Sequence, residues 1–302
     1  MLRREENGIV TYSFESITAE RVGHGVFARQ GGISQGAFAS LNTGSSVGDD
    51  QDAVAENHSR IYAHLGLDAG QVITAHQVHG NRIAVVASED AGRVLPSTDG
   101  LATDTPDLAL MLRFADCQPI LLYDPEHHAL VLAHAGWRGA ALGIAYRAVE
   151  TMRAAFGTEP EQLVAGLGPA IGPCCYTVGH EVAAAMGYAQ PDWTKVMTPE
   201  GDSWKLDLSG ANAQQLAAAG VKHIEQANLC TACNQDEFFS HRGSNGRTGR
   251  FAVMAFLRPG TGSRPAEQAV PVADSEPWGS GLEPDTLQPQ GLPSFGEMMG
   301  DR

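Results

Sequence analysis

The sequence has little of what marks a membrane-spanning, disulfide-rich or nucleic-acid-binding protein. No apolar run approaches the roughly 18 residues that a membrane-spanning helix needs. Five cysteines in 302 residues are too few, and odd in number, for a disulfide framework. Lys and Arg number 20 against 35 Asp and Glu, a net charge of −15. Such a surface repels phosphate backbones and anionic lipids, so we expect neither a nucleic acid nor a membrane as partner.

The N-terminus also lacks the pattern of a signal peptide. Acidic residues follow the basic pair Arg3-Arg4 directly, and no apolar segment comes next. We therefore expect a cytoplasmic protein, in which each cysteine is a buried apolar residue, a metal ligand or a nucleophile. Hydrophobic residues make up 43% of the chain, enough to build a sizeable core. Nothing in the sequence indicates the oligomeric state.

The composition changes sharply after Leu257. Residues 259–302 hold seven of the sixteen prolines, seven glycines, and seven acidic residues against two arginines. Such a segment cannot bury enough apolar surface to offset its chain entropy. We therefore predict a domain over residues 1–258 and a disordered tail over residues 259–302.

Hydrophobic periodicity within residues 1–258 predicts strands interspersed with helices. Strands are predicted at 8–15, 22–29, 71–75, 82–87, 108–114, 119–124, 129–134, 163–167, 221–225 and 250–257. Helices are predicted at 51–65, 138–156, 179–187 and 208–219. Because the strands do not alternate regularly with the helices, the pattern favours an α+β fold: a single mixed domain of β-sheets flanked by helices.

A predicted hairpin brings two chemically active side chains together. The loop at residues 125–128 pairs Asp124 with Ala129, which places His134 opposite Pro119. Cys117 lies two residues beyond Pro119, so Cys117 and His134 would share one face. A thiolate and an imidazole at that spacing can share a metal ion or form a nucleophile–base pair.

His79 is a third candidate, because it follows a strand and precedes a turn-forming glycine. One cysteine and two histidines are a plausible zinc set with an open fourth position, which is the catalytic arrangement. Asp116, next to Cys117, could orient a histidine ligand by a hydrogen bond without binding the metal itself.

Two further motifs are open to more than one interpretation. The glycine-rich stretch at residues 133–139 runs from a strand into a helix. Its backbone N–H groups with Arg138 suit an oxyanion or phosphate, and an ordinary glycine-rich turn between strand and helix explains it equally well. Cys230 and Cys233 form a single C-x-x-C. Half a zinc ribbon needs a second spaced pair, and Cys174 and Cys175 are adjacent. Two buried thiols are therefore favoured over a metal site or a redox pair.

Several motifs together resemble a known family. They are His-Gln-Val-His-Gly at 76–80, Ala-Asp-Cys-Gln-Pro at 115–119 and His-Ala-Gly-Trp-Arg-Gly at 134–139. Further matches lie at 28–34, 40–44, 168–176, 238–242 and 248–250. The family was once labelled multicopper polyphenol oxidoreductase, or laccase-like. Its members are now mostly described as purine nucleoside phosphorylases, and one branch as a peptidoglycan-editing factor. The resemblance covers about residues 20–257.

The resemblance implies a zinc site on His79, Cys117 and His134, which would also be the catalytic residues. It implies phosphorolysis of adenosine, inosine and methylthioadenosine to the free base and ribose 1-phosphate, with an adenosine deaminase activity beside it. The candidate contacts to substrate or phosphate are Arg29, Asn42, Arg138, Arg242 and Arg250. His241 stands where the family often has tyrosine, which could alter substrate choice.

Two alternatives use the same residues. In a Cys–His amidase that edits peptidoglycan precursors, Cys117 would be the nucleophile and His134 or His79 its base. In a copper-dependent polyphenol oxidase, the cysteine and histidines would bind copper. Multicopper oxidases need many histidine ligands, and the sequence has no H-x-H pair, so the copper alternative is the weaker one.

Overall fold

The structure is a computed structural model that describes residues 1–189 and 192–259. All of these residues belong to one compact unit. The predicted tail, apart from Pro259, lies outside the described residues.

Sixteen strands in the described residues form three sheets. Their bounds are β1 Leu2–Glu6, β2 Ile9–Ser13, β3 Val22–Phe27, β4 Val72–Ala75, β5 Ile83–Val85, β6 Val94–Leu95, β7 Gly100–Thr103, β8 Ala109–Phe114, β9 Gln118–Asp124, β10 Ala129–Ala135, β11 Val164–Leu167, β12 Thr177–Val178, β13 Met197–Glu200, β14 Ser203–Leu206, β15 His223–Gln226 and β16 Phe251–Leu257. The first sheet has the order β1-β2-β3-β16-β8-β4-β6, the second β15-β11-β9-β10-β7-β5 and the third β12-β14-β13.

The described residues form five α-helices. They are α1 Gln51–Leu65, α2 Trp137–Ala141, α3 Ile144–Phe156, α4 His180–Ala189 and α5 Leu208–Ala218. The predicted start of α1 is explained by Asp50, whose side chain accepts a hydrogen bond from the backbone N–H of Ala53 at 2.9 Å. Gly66, with φ of 70°, ends this helix.

The two faces of β10 show why the chain folds into layers. Leu130 and Leu132 pack with residues of the first sheet in one core, whereas Val131 and Ala133 pack with α3 in a second core. Because alternate residues of a strand point to opposite faces, both sides of β10 are covered and every residue in it is buried. The first two sheets therefore pack face to face, with α3 on the outer side of the second sheet and α1 on the outer side of the first, and the predicted α+β class is confirmed.

The hairpin register is also confirmed, since His134 pairs with Pro119 and Ala129 with Asp124. The single helix predicted over 138–156 is wrong. Gly143 has φ of 74° and separates α2 from α3, a conformation that glycine adopts without strain. The strands β1, β6 and β7 and the third sheet were not predicted, because β1 is exposed along its whole length and the other strands are too short to show a period. Among the described residues, no helix is both long and apolar enough to cross a membrane.

Candidate metal centre and active-site cleft

Strand ends bring His79, Cys117 and His134 together. Cys117 immediately precedes β9, His134 lies near the end of β10, and His79 lies in the turn after β4. Their Sγ and ring nitrogen atoms all lie within 4.8 Å of one another, so the three could hold a metal ion. We call them the trio. His79 has φ of 62°, a conformation that is sparsely populated outside glycine and is often found at functional sites.

Asp99, to which the sequence patterns assigned no role, orients two members of the trio. Its fully buried carboxylate accepts hydrogen bonds from the backbone N–H groups of Val78 at 3.1 Å, His79 at 2.9 Å and Gly80 at 2.8 Å. The same carboxylate lies 3.0 Å from Nδ1 of His134. Asp99 therefore fixes the His79 turn and turns Nε2 of His134 toward the other two ligands.

The electrostatics of the trio favour a thiolate at Cys117. Burial would raise the pKa of this thiol, but the charge of His134 and hydrogen bonds from His134 and His79 outweigh it and lower the pKa to about 6. Burial lowers the pKa of His134, yet the Cys117 thiolate and Asp99 together raise it to about 9. Without a metal, the two shifts therefore both favour a thiolate at Cys117 and an imidazolium at His134.

The space around the trio fits a metal ion. A Cβ added to Gly136 would lie 3.0 Å from both Sγ of Cys117 and Cδ2 of His79, so the absence of a side chain there keeps the site open. One thiolate and two imidazoles match the donor set of a zinc centre with a free position. The hydrogen bond between Asp99 and His134 is the partner that histidine ligands usually have.

The trio lines a cleft of about 650 Å³, a size typical of small-molecule sites. Four arginines line the same cleft: Arg113, Arg138, Arg242 and Arg250. Within residues 1–189 and 192–259, none of the four forms an ion pair with an Asp or Glu. In so acidic a chain, four guanidinium groups that meet no carboxylate of residues 1–189 and 192–259 make this cleft suited to an anion.

Protein contacts hold three of these arginines in place. Arg113 donates from Nε to the carbonyl of Thr43 at 2.9 Å, and Arg242 donates to the carbonyl of Thr177 at 2.8 Å. Arg250 donates to the carbonyl oxygens of Thr248 and Gly249, each at 3.0 Å. The guanidinium of Arg138 instead stacks over the ring of Trp137, 4.4 Å from its centroid.

Asp116 has a different role from the one predicted for it. Its carboxylate accepts hydrogen bonds from the hydroxyls of Thr231 and Ser240 and from the backbone N–H of Arg242, each at 2.6 Å. The expectation that Asp116 orients a histidine ligand is wrong, because Asp99 occupies that position. Asp116 instead joins the loop after β15 to the end of β8.

Two candidate contacts lie outside the cleft. Arg29 donates to the carbonyl oxygens of Ala39 at 2.8 Å and Gln235 at 2.6 Å. Asn42 is fully buried and accepts hydrogen bonds from the backbone N–H groups of Gly44 at 2.9 Å and Arg250 at 2.7 Å. Asn42 therefore shapes the loop that carries Arg250. The placement of Arg29 and Asn42 does not favour direct contact with a substrate.

Arg113 is a cleft residue that was not among the predicted substrate contacts. A signal for it exists in the sequence, since it is the one charged residue in the otherwise apolar strand β8. Charged residues are rarely buried without a reason.

The cysteines of the C-x-x-C are not the two buried thiols that the sequence favoured. Cys233 is exposed and Cys230 is partly exposed. Both lie with Cys174 and Cys175 in a second group whose sulfur atoms are all within 4.8 Å of one another.

A thiolate and two imidazoles lie beside a cleft with four arginines that pair with no described carboxylate, an arrangement of the kind that holds a metal next to an anionic ligand. The chain belongs to the family described as multi-copper polyphenol oxidoreductase laccase, whose profile matches residues 23–258.

Its relatives include proteins with a more specific name. The purine nucleoside phosphorylase YlmD of Geobacillus stearothermophilus is 40% identical over 244 residues, which are 77% of this chain and 88% of that protein. The purine nucleoside phosphorylase ORF3 of Streptomyces griseus is 38% identical over 80% of this chain and 97% of its own length.

Solved structures of relatives show the same fold. The crystal structure of YlmD from Geobacillus stearothermophilus superposes with a TM-score of 0.81 at 36% identity, covering 85% of this chain and 98% of that one. The hypothetical protein YfiH of Bacillus licheniformis gives a TM-score of 0.80 at 35% identity, covering 85% of this chain and 99% of that one.

Proposed function

We propose that the protein is a zinc-dependent purine nucleoside phosphorylase. It cleaves adenosine, inosine and methylthioadenosine with phosphate and releases the free base and a ribose 1-phosphate. The observation that carries the proposal is the set of four arginines that have no carboxylate partner among the described residues, in a cleft shared with the trio. The names of the relatives support the same activity.

Phosphate is the substrate that explains the arginines. In phosphorolysis the glycosidic C–N bond breaks, a phosphate oxygen bonds to the sugar carbon, and the base leaves with the electron pair and gains a proton. Positive charge builds on the sugar as the C–N bond breaks, so an anion held beneath the sugar lowers the barrier by both position and charge. Guanidinium groups hold phosphate oxygens two at a time, and the cleft offers four of them.

His79, Cys117 and His134 would hold the zinc ion. Bound there, zinc would supply a Lewis acid within the cleft. The chain's own groups shape the rest of the site. Tyr176 lines the cleft, and burial raises the pKa of its hydroxyl well above the usual range. The hydroxyl therefore stays protonated and can donate a hydrogen bond to the substrate.

Adenosine deamination is a finer part of the proposal and has less support. Zinc deaminases use a carboxylate as general acid and base. Among the described residues that line the cleft, Asp116 is the one carboxylate, and it already accepts three hydrogen bonds. The trio's open position is the feature that would permit this activity, and formation of inosine and ammonia from adenosine tests it.

Product analysis with and without phosphate tests the main activity. With adenosine and phosphate, we expect adenine and ribose 1-phosphate. Free ribose formed at the same rate without phosphate would show a hydrolase instead. No nucleoside turnover, with metal-independent cleavage of an amide in a cell-wall precursor, would move the protein to the Cys–His amidase alternative. Oxidation of a polyphenol by copper-loaded protein alone would favour the oxidase.

Arg138 is the arginine with which to test phosphate binding. No hydrogen bond from its side chain to a described residue holds the fold together, so Arg138→Gln removes charge with little structural cost. We expect a KM for phosphate at least about tenfold higher, with a smaller change in the KM for nucleoside. Arg153→Gln is the matched control, because Arg153 lies on α3 and pairs with Glu150 at the surface. Equal effects of the two substitutions would contradict the assignment.

A further inference from the structure

Four cysteines outside the cleft form a compact group of sulfur atoms. Cys174 and Cys175 lie in the loop between β11 and β12, and Cys230 and Cys233 lie in the loop after β15. We call them the quartet. All four Sγ atoms are within 4.8 Å of one another, and Cys233 lies 3.5 Å from Cys174 and 3.4 Å from Cys175. We propose that the quartet is a second metal site, a tetrahedral zinc centre with four thiolate ligands.

The distances fit one metal ion. Four sulfurs at the usual Zn–S distance of about 2.3 Å stand about 3.8 Å from one another at the corners of a tetrahedron. The separations of Cys233 from Cys174 and Cys175, 3.5 and 3.4 Å, are close to that edge. A polynuclear iron–sulfur cluster would need wider spacing, because its thiolates bind different irons.

The same distances argue against disulfides as the function of the quartet. A disulfide joins two sulfurs at about 2.05 Å, and the four cysteines are free. Cys174 and Cys175 lie at nearly equal distances from Cys233, so the geometry selects no pair. A single metal ion uses all four sulfurs at once, which explains why the two loops converge on one point.

The backbone around the quartet is built to leave room for the sulfurs. Gly172 donates its N–H to Sγ of Cys230 at 3.2 Å, the kind of contact that stabilises a charged thiolate. A Cβ at Gly172 would lie 3.2 Å from Cβ of Cys230 and 3.4 Å from Sγ of Cys174. The loops are also joined directly, since the N–H of Thr231 donates to the carbonyl of Ala170 at 3.0 Å.

The position of the quartet suggests what the metal does. Cys175 precedes Tyr176, which lines the cleft, and Cys230 precedes Thr231, which donates to Asp116. A metal bound by four thiolates has no open position and is structural. It would therefore clamp together the two loops that form one wall of the cleft, while the trio supplies the site with an open position.

Metal analysis of matched variants tests the second site without using activity. We expect two zinc ions per chain in the full-length protein purified without chelator. Cys117→Ser and Cys230→Ser should each lose one, and the double variant should hold none. If Cys117→Ser alone removes all of the zinc, the quartet is not a metal site. If Cys230→Ser alone removes all of it, the proposed zinc at the trio fails and the quartet stands.

Cobalt gives an independent readout should Cys230→Ser fold poorly. In the otherwise native Cys117→Ser protein, Co²⁺ bound by the quartet should show the absorption of a tetrahedral ion and a strong sulfur-to-cobalt charge-transfer band. Added Zn²⁺ should abolish both. An iron chromophore in the purified protein would overturn the zinc assignment. A non-reducing mass measurement that shows disulfides among the four cysteines and no metal would overturn the site itself.

Discussion

The trio and the quartet are both compact groups that include cysteine, yet they differ in the secondary structure that carries them and in their burial. The trio lies at the ends of buried strands, faces a cleft, and is backed by the buried carboxylate of Asp99. The quartet comes from two loops, and Cys174 and Cys233 are exposed. Three donors with a free side suit exchange with a substrate, whereas four donors leave no position free. The number of protein ligands therefore distinguishes a centre that can bind a substrate at its open position from a centre that can only hold loops together.

The largest expected effect comes from Cys117→Ser. A hydroxyl is a far poorer zinc ligand than a thiolate, so the trio should lose its metal. We expect phosphorolysis to fall by about 10³-fold or more, since a bound metal contributes several kcal/mol to the transition state. Turnover by purified protein of measured zinc content checks this.

Two comparisons control that experiment. His76→Ala should keep the metal of the trio, because His76 lies outside the ligand set although it lines the cleft. Cys230→Ser should lower the melting temperature more than Cys117→Ser does, and reduce turnover less. Equal losses of activity in Cys117→Ser and Cys230→Ser would contradict the assignment of a catalytic role to the trio and a structural role to the quartet.

In metal-free protein, the two clusters should differ in thiol reactivity. The pKa of Cys117 is about 6, whereas burial and the neighbouring thiols raise the pKa of Cys174 to about 11. At pH 7 these values give an ionised fraction about 10⁴ times larger at Cys117, and the weaker nucleophilicity of its thiolate reduces the advantage in rate to about 10².

Peptide mapping after alkylation with iodoacetamide measures that ratio. Because the pKa of Cys117 is lowered, its alkylation should be fast and flat above pH 7 and should decline as the pH falls through about 6. Solvent exposure alone predicts the opposite order of alkylation rates, since Cys174 is exposed and Cys117 is only partly exposed. Faster labelling of Cys174 at pH 7 would mean that the thiolate–imidazolium pair does not form.

The same contrast explains what could be predicted from the sequence. The register of a hairpin with a four-residue loop follows from side-chain alternation, so Cys117 and His134 could be placed on one face from the sequence alone. His79 could be added because it follows a strand and precedes a turn-forming glycine, and the resemblance to a known family implied the same three residues. The quartet has no such regularity, because β12, β13, β14, β15 and two helices lie between its two loops in the chain and no period relates them.

The roles of Asp99 and Asp116 could not be predicted from the sequence either, because their hydrogen-bond partners are distant in the chain. Asp99 comes just before β7, a strand too short to show a pattern, and nothing local separates it from an ordinary turn residue. Its role depends on three backbone N–H groups in another loop. Asp116 was assigned from its neighbour in sequence, but its hydroxyl partners lie 115 and 124 positions away. Partners of this kind are fixed by the tertiary fold.

Asp99→Asn tests whether the trio depends on the carboxylate that contacts His134. The substitution removes the negative charge of this side chain and keeps its size. The amide cannot accept from Nδ1 of His134 and from all three backbone N–H groups as the carboxylate does. Loss of such a partner typically costs about 10- to 100-fold in metal affinity. Competition with a chelator of known affinity, in the Cys230→Ser background, measures this for the trio alone.

Asp116→Asn is the matched control for that substitution. Asp116 is also buried and also accepts three short hydrogen bonds, but none comes from the trio. We expect lower thermal stability with little change in the zinc affinity of the trio. A greater loss of affinity in Asp116→Asn than in Asp99→Asn would restore the role that the sequence first suggested for Asp116.

The smallest effects should come from adding one methyl group beside each cluster. Gly136 has φ of −80°, so alanine can adopt its backbone conformation, and only the new Cβ matters. That Cβ would lie 3.0 Å from Sγ of Cys117, whereas a Cβ at Gly172 would lie 3.4 Å from Sγ of Cys174. Glycine to alanine at a compatible position otherwise stabilises a fold by about 0.4 to 1 kcal/mol, so a loss of metal affinity must come from crowding.

Overpacking costs roughly 1 to 3 kcal/mol, so we expect Gly136→Ala to weaken zinc binding at the trio by about tenfold and to spare the quartet. Gly172→Ala should do the reverse, with a smaller loss because its contacts are longer. Gly70→Ala, whose Cβ would meet no atom within 4 Å, is the control for both. Zinc affinities measured separately in the Cys230→Ser and Cys117→Ser backgrounds check the pattern. A methyl group that touches one cluster can reach the other only through a shared change in the fold. If either glycine substitution lowers the zinc affinity of the trio and of the quartet equally, the two are not independent sites.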